Sequence, residues 1–179
     1  MTTYSNVDCA WSMDDRKSTS GSAFFLGACL VACSSKKQSS ISLSTTKAEY
    51  IAALDCCTQI FLMKQTLEYI KVECNQPIPI YCDNTSAISI SRNTIMHSET
   101  KHIHIKYHFL REQVKDRVVK LAYVKTKEQL ADIFTKPLPK DAFEYLRQRL
   151  GVISLPTKWS ILFLWVGVVQ DQHPRQLQR

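Results

Sequence analysis

Three carboxylates in this sequence stand where an element of secondary structure is expected to begin or end. Glu49 lies near the start of a long amphipathic helix, and we place it in the first turn. Asp83 directly follows an apolar strand that ends at Cys82, and Asp132 stands in the segment Gln129–Phe134. Carboxylate oxygens are preferred ligands of hard divalent cations, and paired cations of this kind act on phosphodiesters. These three acids, in a basic chain, therefore predict a divalent-metal site.

Each acid also has a simpler explanation. Thr46 and Glu49 have the spacing of a capping box, in which Glu49 would only close the start of the helix. Asp83 would serve as a helix N-cap, and Asp132 would occupy a solvated helix position. Taken one at a time, the residue types leave both explanations open.

The spacing of apolar residues predicts the elements that position these acids. Apolar runs predict five strands, at Tyr4–Cys9, Ser22–Val31, Ser39–Leu43, Pro77–Cys82 and Val118–Val124. Helical spacing predicts five helices, at Thr46–Ile70, Ser86–Ser91, His102–Arg117, Glu128–Thr135 and Asp141–Leu150. This order predicts an α/β fold with a mixed sheet, antiparallel in its first half and parallel in its second, flanked by helices. Polar sites in such sheets gather at the carboxyl ends of the parallel strands.

The composition fits one globular domain followed by a tail. The chain has 179 residues, 45% of them hydrophobic, with only 4 glycines and 6 prolines, which allows a sizeable core. We expect the domain at 1–151 and an unrelated tail, disordered or poorly packed, at 152–179, where the periodic pattern stops. The apolar run Ile161–Val169 is shorter than the ~20 residues of a membrane-spanning helix, so no membrane partner is expected.

Charge and cysteine content bound the partners and the compartment. Lys+Arg exceed Asp+Glu by 23 to 16, a formal net charge of +7 that favours a polyanionic partner. Loop positions make five basic residues the candidates for phosphate contacts, against the simpler interpretation of solvated charges: Arg16, Lys17, Lys36, Lys37 and Lys101. The seven cysteines form no C-x-x-C pair, and the N-terminus lacks the regions of a signal peptide. We therefore expect reduced, mostly buried thiols in an intracellular protein, cytoplasmic or nuclear.

A series of motifs carries a more specific resemblance. The motifs are Tyr4–Asp8, Asp14–Gly21, Phe24–Gly27, Ser34–Gln38, Ala48–Ala52, Tyr81–Asn84, Thr100–Ile103, Tyr107–Phe109 and Ala131–Lys136. In this order, residues 4–152 resemble the ribonuclease H domain that ends the Pol polyprotein of copia-type LTR retrotransposons. The resemblance implies a ribonuclease H-like fold with a mixed five-stranded sheet. It also implies a two-metal endonuclease that hydrolyses the RNA strand of RNA–DNA hybrids during reverse transcription.

The same resemblance assigns the catalytic positions. The four metal-binding acids of the family fall on Asn6, Glu49, Asp83 and Asp132, so three of the four are acids here. The implied cofactor is Mg²⁺, with Mn²⁺ as an alternative, held by Glu49, Asp83 and Asp132. An amide at position 6 keeps the size of aspartate but loses its charge and turns a donor toward the cation. Taken jointly in the family's order, the acids favour a metal site, and Asn6 predicts weakened metal binding and impaired hydrolysis.

Further departures from the family occur around the first strand. Cys9 and Cys33 stand where tryptophan is usual, Trp11 where glycine is usual, and Lys47 where glutamate is usual. We interpret them, with the start of the chain close to that strand, as marks of a decaying and truncated genomic copy. Asp8 shares the strand face of position 6 and is the one acid that could compensate.

Three functions stay open at this point: an active endonuclease, a catalytically inactive nucleic-acid-binding remnant, and a pseudogene product. The resemblance implies an RNA–DNA hybrid as the partner. A reverse transcriptase domain supplied in trans is a second implied partner.

Overall fold

A computed structural model describes residues 1–9, 16–74, 76–92 and 101–153, without the side chains of 101–107. It contains strands β1 (Thr2–Asp8), β2 (Thr19–Leu26), β3 (Cys29–Lys37), β4 (Ile78–Cys82) and β5 (Val119–Tyr123). These form one sheet in the order β3-β2-β1-β4-β5, in which β1, β2 and β3 pair antiparallel and β1–β4 and β4–β5 pair parallel. The predicted mixed sheet is therefore confirmed. The expected tail lies almost wholly outside the described residues.

Helices and short turns flank the sheet. The α-helices are α1 (Thr45–Tyr69), α2 (Thr85–Arg92), α3 (Lys101–Lys115) and α4 (Lys140–Arg149). The helix predicted at Glu128–Thr135 is wrong in type, because the chain forms two 3₁₀ segments, Thr126–Glu128 and Leu130–Phe134. Gln129 separates them with an extended backbone (φ −75°, ψ 97°) that breaks the helical path. We call Leu130–Phe134 the late 3₁₀ segment. Within the described ranges, no helix has the length and apolar character needed to cross a membrane.

The predicted strand Ser22–Val31 is wrong in extent, because the chain reverses within it. β2 ends at Leu26 and β3 begins at Cys29, and the two residues between them make a tight turn. Gly27 takes the first turn position with φ of +63°, a left-handed conformation that glycine adopts without a Cβ penalty. The apolar run continues on both sides of this turn, so periodicity alone merges the two strands.

The predicted strand Ser39–Leu43 is also wrong, since these residues lie in the loop between β3 and α1. Gln38 is buried and anchors this loop. Its Nε2 donates to Ser20 Oγ (2.9 Å) and Ala48 O (3.0 Å), and its backbone N–H donates to Ser18 O (2.8 Å). These contacts tie the loop to β2 and α1 and take the place of strand pairing.

Apolar side chains pack on both faces of the sheet. On one face α1 covers the strands, and the core there includes Phe24, Tyr50, Ile60, Ile80 and Leu110. On the other face the late 3₁₀ segment and α4 cover a smaller cluster, formed by Ala23, Phe25, Leu130, Leu146 and Leu150. The strands that carry the candidate acids are thus held from both sides.

The cysteines are free thiols, but the expectation that most are buried is wrong. Cys56 and Cys57, on the buried face of α1, and Cys82, at the end of β4, lie in the core between this helix and the sheet. Cys9, Cys33 and Cys74 are half-buried, and Cys29 is exposed. Cys29 is exposed because it begins β3 directly after the tight turn, where the sheet ends.

Candidate metal and nucleic-acid site

The carboxyl ends of β1 and β4 lie side by side at the same end of the sheet. The two parallel strands pair as far as Tyr4 and Tyr81, whose rings stack with centroids 5.1 Å apart. Asn6 lies two residues beyond this pair on β1, and Asp83 lies two residues beyond it at the end of β4. Since side chains two residues apart on a strand share a face, the parallel register brings positions 6 and 83 to the same end of the sheet.

Glu49 and Asp83 form the first half of the site. Glu49 is only 4% exposed, and its carboxylate, that of Asp83 and the thiol of Cys82 each place a ligand atom within 4.8 Å of the others. Burial, followed by the charge of Asp83, raises the pKa of Glu49 to about 8, against a hydrogen bond from the Val7 backbone that lowers it. A buried carboxyl beside a second acid has a strong electrostatic preference for a cation.

Asn6 and Asp132 form the second half, and both are buried. Asn6 Nδ2 donates a short hydrogen bond to Asp132 Oδ1 and a second one to Thr135 Oγ1 (3.3 Å). Lys136 Nζ lies 2.8 Å from the same Asp132 Oδ1. Oδ1 of the Asp132 carboxylate is therefore occupied by an amide and an ammonium of the protein itself.

The two halves belong to one site. Glu49 accepts a hydrogen bond from the backbone of Val7, which follows Asn6 on β1, and the charges of Asp132 and Lys136 respectively raise and lower its pKa. The structure therefore brings together all four positions that the sequence singled out, from β1, α1, β4 and the late 3₁₀ segment. Their roles as metal ligands stay a prediction.

The simpler explanations for the three acids do not hold. Ser44 is the N-cap of α1 and its Oγ accepts from Lys47 N (3.2 Å), so Glu49 is past the first turn and closes no capping box. Asn84 Oδ1 accepts from Ala87 N (2.9 Å) at the start of α2, so Asp83 is not the capping residue. Asp132 is buried and not solvated. None of the three acids is needed where it stands for helix capping or solubility.

Gln129 is a site-building residue that sequence reasoning missed. Its side chain is fully buried, and Nε2 donates to Ser5 O on β1 (3.0 Å) and Tyr81 O on β4 (3.3 Å). Its Oε1 accepts from Ala131 N (3.3 Å) at the start of the late 3₁₀ segment. One amide thus bridges both strands to the segment that carries Asp132. A buried polar side chain between two short segments has no periodic pattern by which a sequence could indicate it.

Gly21 lets the late 3₁₀ segment approach the sheet. It pairs with Asn6 across β1 and β2. A Cβ at this position would lie 2.6 Å from Thr135 Cγ2 and 2.8 Å from Ala131 O. These distances are too short for any other residue, so Gly21 sets how closely Asp132 comes to Asn6.

Asp8 lies at the edge of the same site. Burial raises its pKa, the charge of Lys136 lowers it, and the charge of Asp132 raises it. One of its oxygens, Oδ2, is buried and makes no hydrogen bond within the described part of the chain. On the other side of the site, Thr126 Oγ1 donates to Asp83 Oδ2 (2.9 Å). Asp8 is thus an additional acid close to Lys136.

Four of the five predicted nucleic-acid contacts lie at the same end of the sheet as the acids. Lys37 pairs with Thr19, which pairs with Asp8, so a row of three strands joins the acidic and basic residues. Lys36 and Arg16 are exposed and Lys17 is half-buried. With strands ~4.8 Å apart, the backbone of β3 runs about 10 Å from that of β1. The side chain of Lys101 lies outside the described residues.

Known structures define the class to which this fold belongs. LC11-RNase H1, solved in complex with an RNA/DNA hybrid, superimposes with a TM-score of 0.54 at 9% identity, covering 75% of this chain and 92% of that one. A second structure of LC11-RNase H1 gives a TM-score of 0.55 at 11% identity, covering 80% of this chain and 95% of that one. The N-terminal RNase H domain of rv2228c from Mycobacterium tuberculosis gives 0.50 at 12% identity, over 82% and 96%. The fold is that of ribonuclease H.

Sequence relatives narrow the class further, although no protein-family model matches the chain. The Pol polyprotein of transposon TNT 1-94 from Nicotiana tabacum is 36% identical over 151 residues, 84% of this chain and 11% of the relative. The Pol polyprotein of transposon RE2 from Arabidopsis thaliana is 37% identical over 153 residues, which are 86% of this chain and 10% of the relative. The chain is a homologue of retrovirus-related Pol polyproteins of copia-type transposons. It spans about a tenth of the length of these relatives.

Proposed function

We propose that this domain binds RNA–DNA hybrid as the ribonuclease H-type module of a transposon Pol polyprotein and hydrolyses the RNA strand poorly. The observation that supports this best is the gathering of Asn6, Glu49, Asp83 and Asp132 at one edge of a ribonuclease H fold. The relatives are Pol polyproteins, so a reverse transcriptase domain acting in trans is part of the proposal.

One half of the site fits a divalent ion. Glu49 and Asp83 offer two carboxylates with ligand atoms within 4.8 Å of each other, and burial followed by the charge of Asp83 raises the pKa of Glu49. Oxygen ligands of this kind suit Mg²⁺ or Mn²⁺. When bound, such an ion would lower the pKa of a coordinated water and stabilise negative charge on a phosphate. Cys82 lies beside the pair, but thiolate is a soft ligand that suits these hard ions less well than carboxylate does.

The other half does not fit a second ion. A carboxylate at position 6 would add a negative charge beside Asp132, whereas Asn6 instead donates its amide hydrogen to that residue. A two-metal reaction needs carboxylates that neutralise both ions. The domain therefore keeps a partial metal site, and the inactive nucleic-acid-binding remnant is favoured over the fully active endonuclease.

The hybrid would lie across the end of the sheet, with the acids at one side and, at the other, the lysines of β3 and the basic residues that precede β2. A-form duplexes are recognised through the backbone and the 2′-hydroxyls of the wide minor groove, and these contacts need no complete metal pair. Lys36 and Lys37 lie on the edge strand β3, and Lys37 is joined to Asp8 on β1 through the paired residue Thr19. Phosphates on one side of the minor groove of the hybrid would reach these lysines. Binding of this kind weakens as salt rises.

Hybrid binding can be measured by fluorescence anisotropy with a labelled RNA–DNA duplex in EDTA. Exchanging both Lys36 and Lys37 for glutamine should weaken binding about tenfold at low salt and reduce the salt dependence by about two released counterions. Lys71→Gln is the matched control, since this exposed lysine follows α1 at the opposite end of the domain. Equal losses for the double variant and the control, or no binding by the unmodified domain at low salt, would reject the proposed hybrid interface.

Catalytic impairment has its own test. Asn6→Asp returns a carboxylate without a change of side-chain volume, so Mg²⁺-dependent cleavage of the hybrid should rise well above the trace level expected for the unmodified domain. Robust cleavage by the unmodified domain that Asp8→Asn abolishes would show that Asp8, and not position 6, is the first ligand. No gain from Asn6→Asp in a correctly folded variant would mean that Asn6 is not the limiting lesion.

A further inference from the structure

Lys136 places a positive charge inside the candidate metal site. Its Nζ lies 2.8 Å from Asp132 Oδ1, and the Asp132 side chain is only 9% exposed. The same charge lowers the pKa of both Asp8 and Glu49. The ammonium therefore acts on three carboxylates at once, which distinguishes it from a surface lysine that pairs with one neighbour.

Asn6 reinforces this arrangement at a single atom. Asp132 Oδ1 accepts from Asn6 Nδ2 and from Lys136 Nζ. A carboxylate oxygen has about two lone-pair directions, so these two donors occupy both of them. A divalent ion that used this oxygen would have to displace one donor and approach the ammonium. An aspartate at position 6 would remove the amide donor and leave Lys136 as the only competitor.

We propose that Lys136 competes with a second divalent ion for Asp132 and that Asn6 favours the lysine in this competition. The domain therefore binds one divalent ion per chain. The inference rests on the proposed function, which supplies the first ion at Glu49 and Asp83. In this arrangement Lys136 is a positioning residue, because it holds Asp132 toward Asn6 without touching a substrate. Its ammonium supplies the charge that a second ion would otherwise bring.

The number and affinity of bound ions can be measured with Mn²⁺ alone, by electron paramagnetic resonance of the free ion. The unmodified domain should bind one Mn²⁺, and Asn6→Asp should add a second, weaker one. Adding Lys136→Gln to Asn6→Asp should tighten the second ion by about tenfold or more, because a unit charge close to a divalent ion is removed. Lys136→Arg in the same background keeps the charge, so its second ion should stay weak. Lys140→Gln, at a lysine that is 84% exposed on α4, is the matched control.

The outcomes separate the two proposals. In the Asn6→Asp background, the second ion could bind with the same affinity whether residue 136 is lysine, glutamine or arginine. That result would overturn the role of Lys136 while leaving the first ion in place. Two ions of equal affinity in the unmodified domain would also overturn it. No bound Mn²⁺ in any variant, with folding verified by circular dichroism, would overturn both this inference and the proposed metal site. A purely structural role of Lys136 predicts changed melting with unchanged Mn²⁺ affinity.

Discussion

Replacing Glu49 with glutamine should stabilise the metal-free domain at alkaline pH. The carboxyl of Glu49 releases its proton near 4.5 in the unfolded chain and at about 8 in the folded one. Between these values the unfolded state binds fewer protons, so the free energy of unfolding falls as the pH rises. Each pH unit between the two pKa values corresponds to about 1.4 kcal/mol, which gives a loss of at most ~5 kcal/mol. This is comparable with the whole stability of a small domain, roughly 5–15 kcal/mol.

Urea unfolding in EDTA at several pH values from 5 to 8 tests this expectation. The stability of the unmodified domain should decline over this range, whereas Glu49→Gln, which can still accept the Val7 N–H, should lose much less. The control is Glu68→Gln, at an exposed glutamate of the same helix whose ion pair with Lys64 spans 3.8 Å. Parallel profiles for the unmodified domain and Glu49→Gln would refute the reasoning. Adding Mn²⁺ at pH 8 should restore the free energy of unfolding of the unmodified domain and leave that of Glu49→Gln unchanged.

Two further variants test how the site is held together. Gly21→Ala should lower the free energy of unfolding in urea by about 2–3 kcal/mol, because its Cβ would lie 2.6 Å from Thr135 Cγ2. The control is Gly27→Ala, which has open space around it and a φ of +63°, and should cost only the ~1 kcal/mol of backbone strain. Equal costs for the two variants would contradict the packing argument. Gln129→Leu should cost about 2–5 kcal/mol because the buried carbonyl of Ser5 and the half-buried carbonyl of Tyr81 lose the amide donor. Gln148→Leu, at an exposed position of α4, is its control and should be nearly neutral.

Most of the fold is predictable from the sequence because the apolar spacing is strong where strands and helices are buried. The long helix α1 and the parallel strands β4 and β5 lie within a residue or two of their predicted ends. The hairpin of β2 and β3 was missed because a single residue, Gly27, reverses the chain inside a continuous apolar run. The alternation at Ser39–Leu43 predicted a strand, but the buried Gln38 ties that segment down as a loop.

The candidate site is predictable only in part. The acids could be selected because each stands at an element boundary, and their order in the chain matches a known family. Gln129 and Gly21 could not be selected in this way, because their importance arises from contacts between segments more than 100 residues apart or from space that a side chain would fill. Lys136 lies only four residues from Asp132, but charged pairs at this spacing are common on protein surfaces, so the sequence does not indicate that this pair lies within the site. A 3₁₀ segment of five residues has too few turns to show a face in the sequence.

The hydrogen bond between Asn6 and Asp132 joins residues 126 positions apart, and that between Gln129 and Ser5 joins residues 124 apart. Contacts of such long range close large loops and must offset a loss of chain entropy when they form. All five strands are complete at Tyr123, before the segment that carries Asp132 has been synthesised. The strands are thus encoded before Gln129, the donor to the carbonyls of Ser5 and Tyr81, and before Asp132. A truncated chain that ends at Tyr123 would therefore have every strand of the sheet and lack the site.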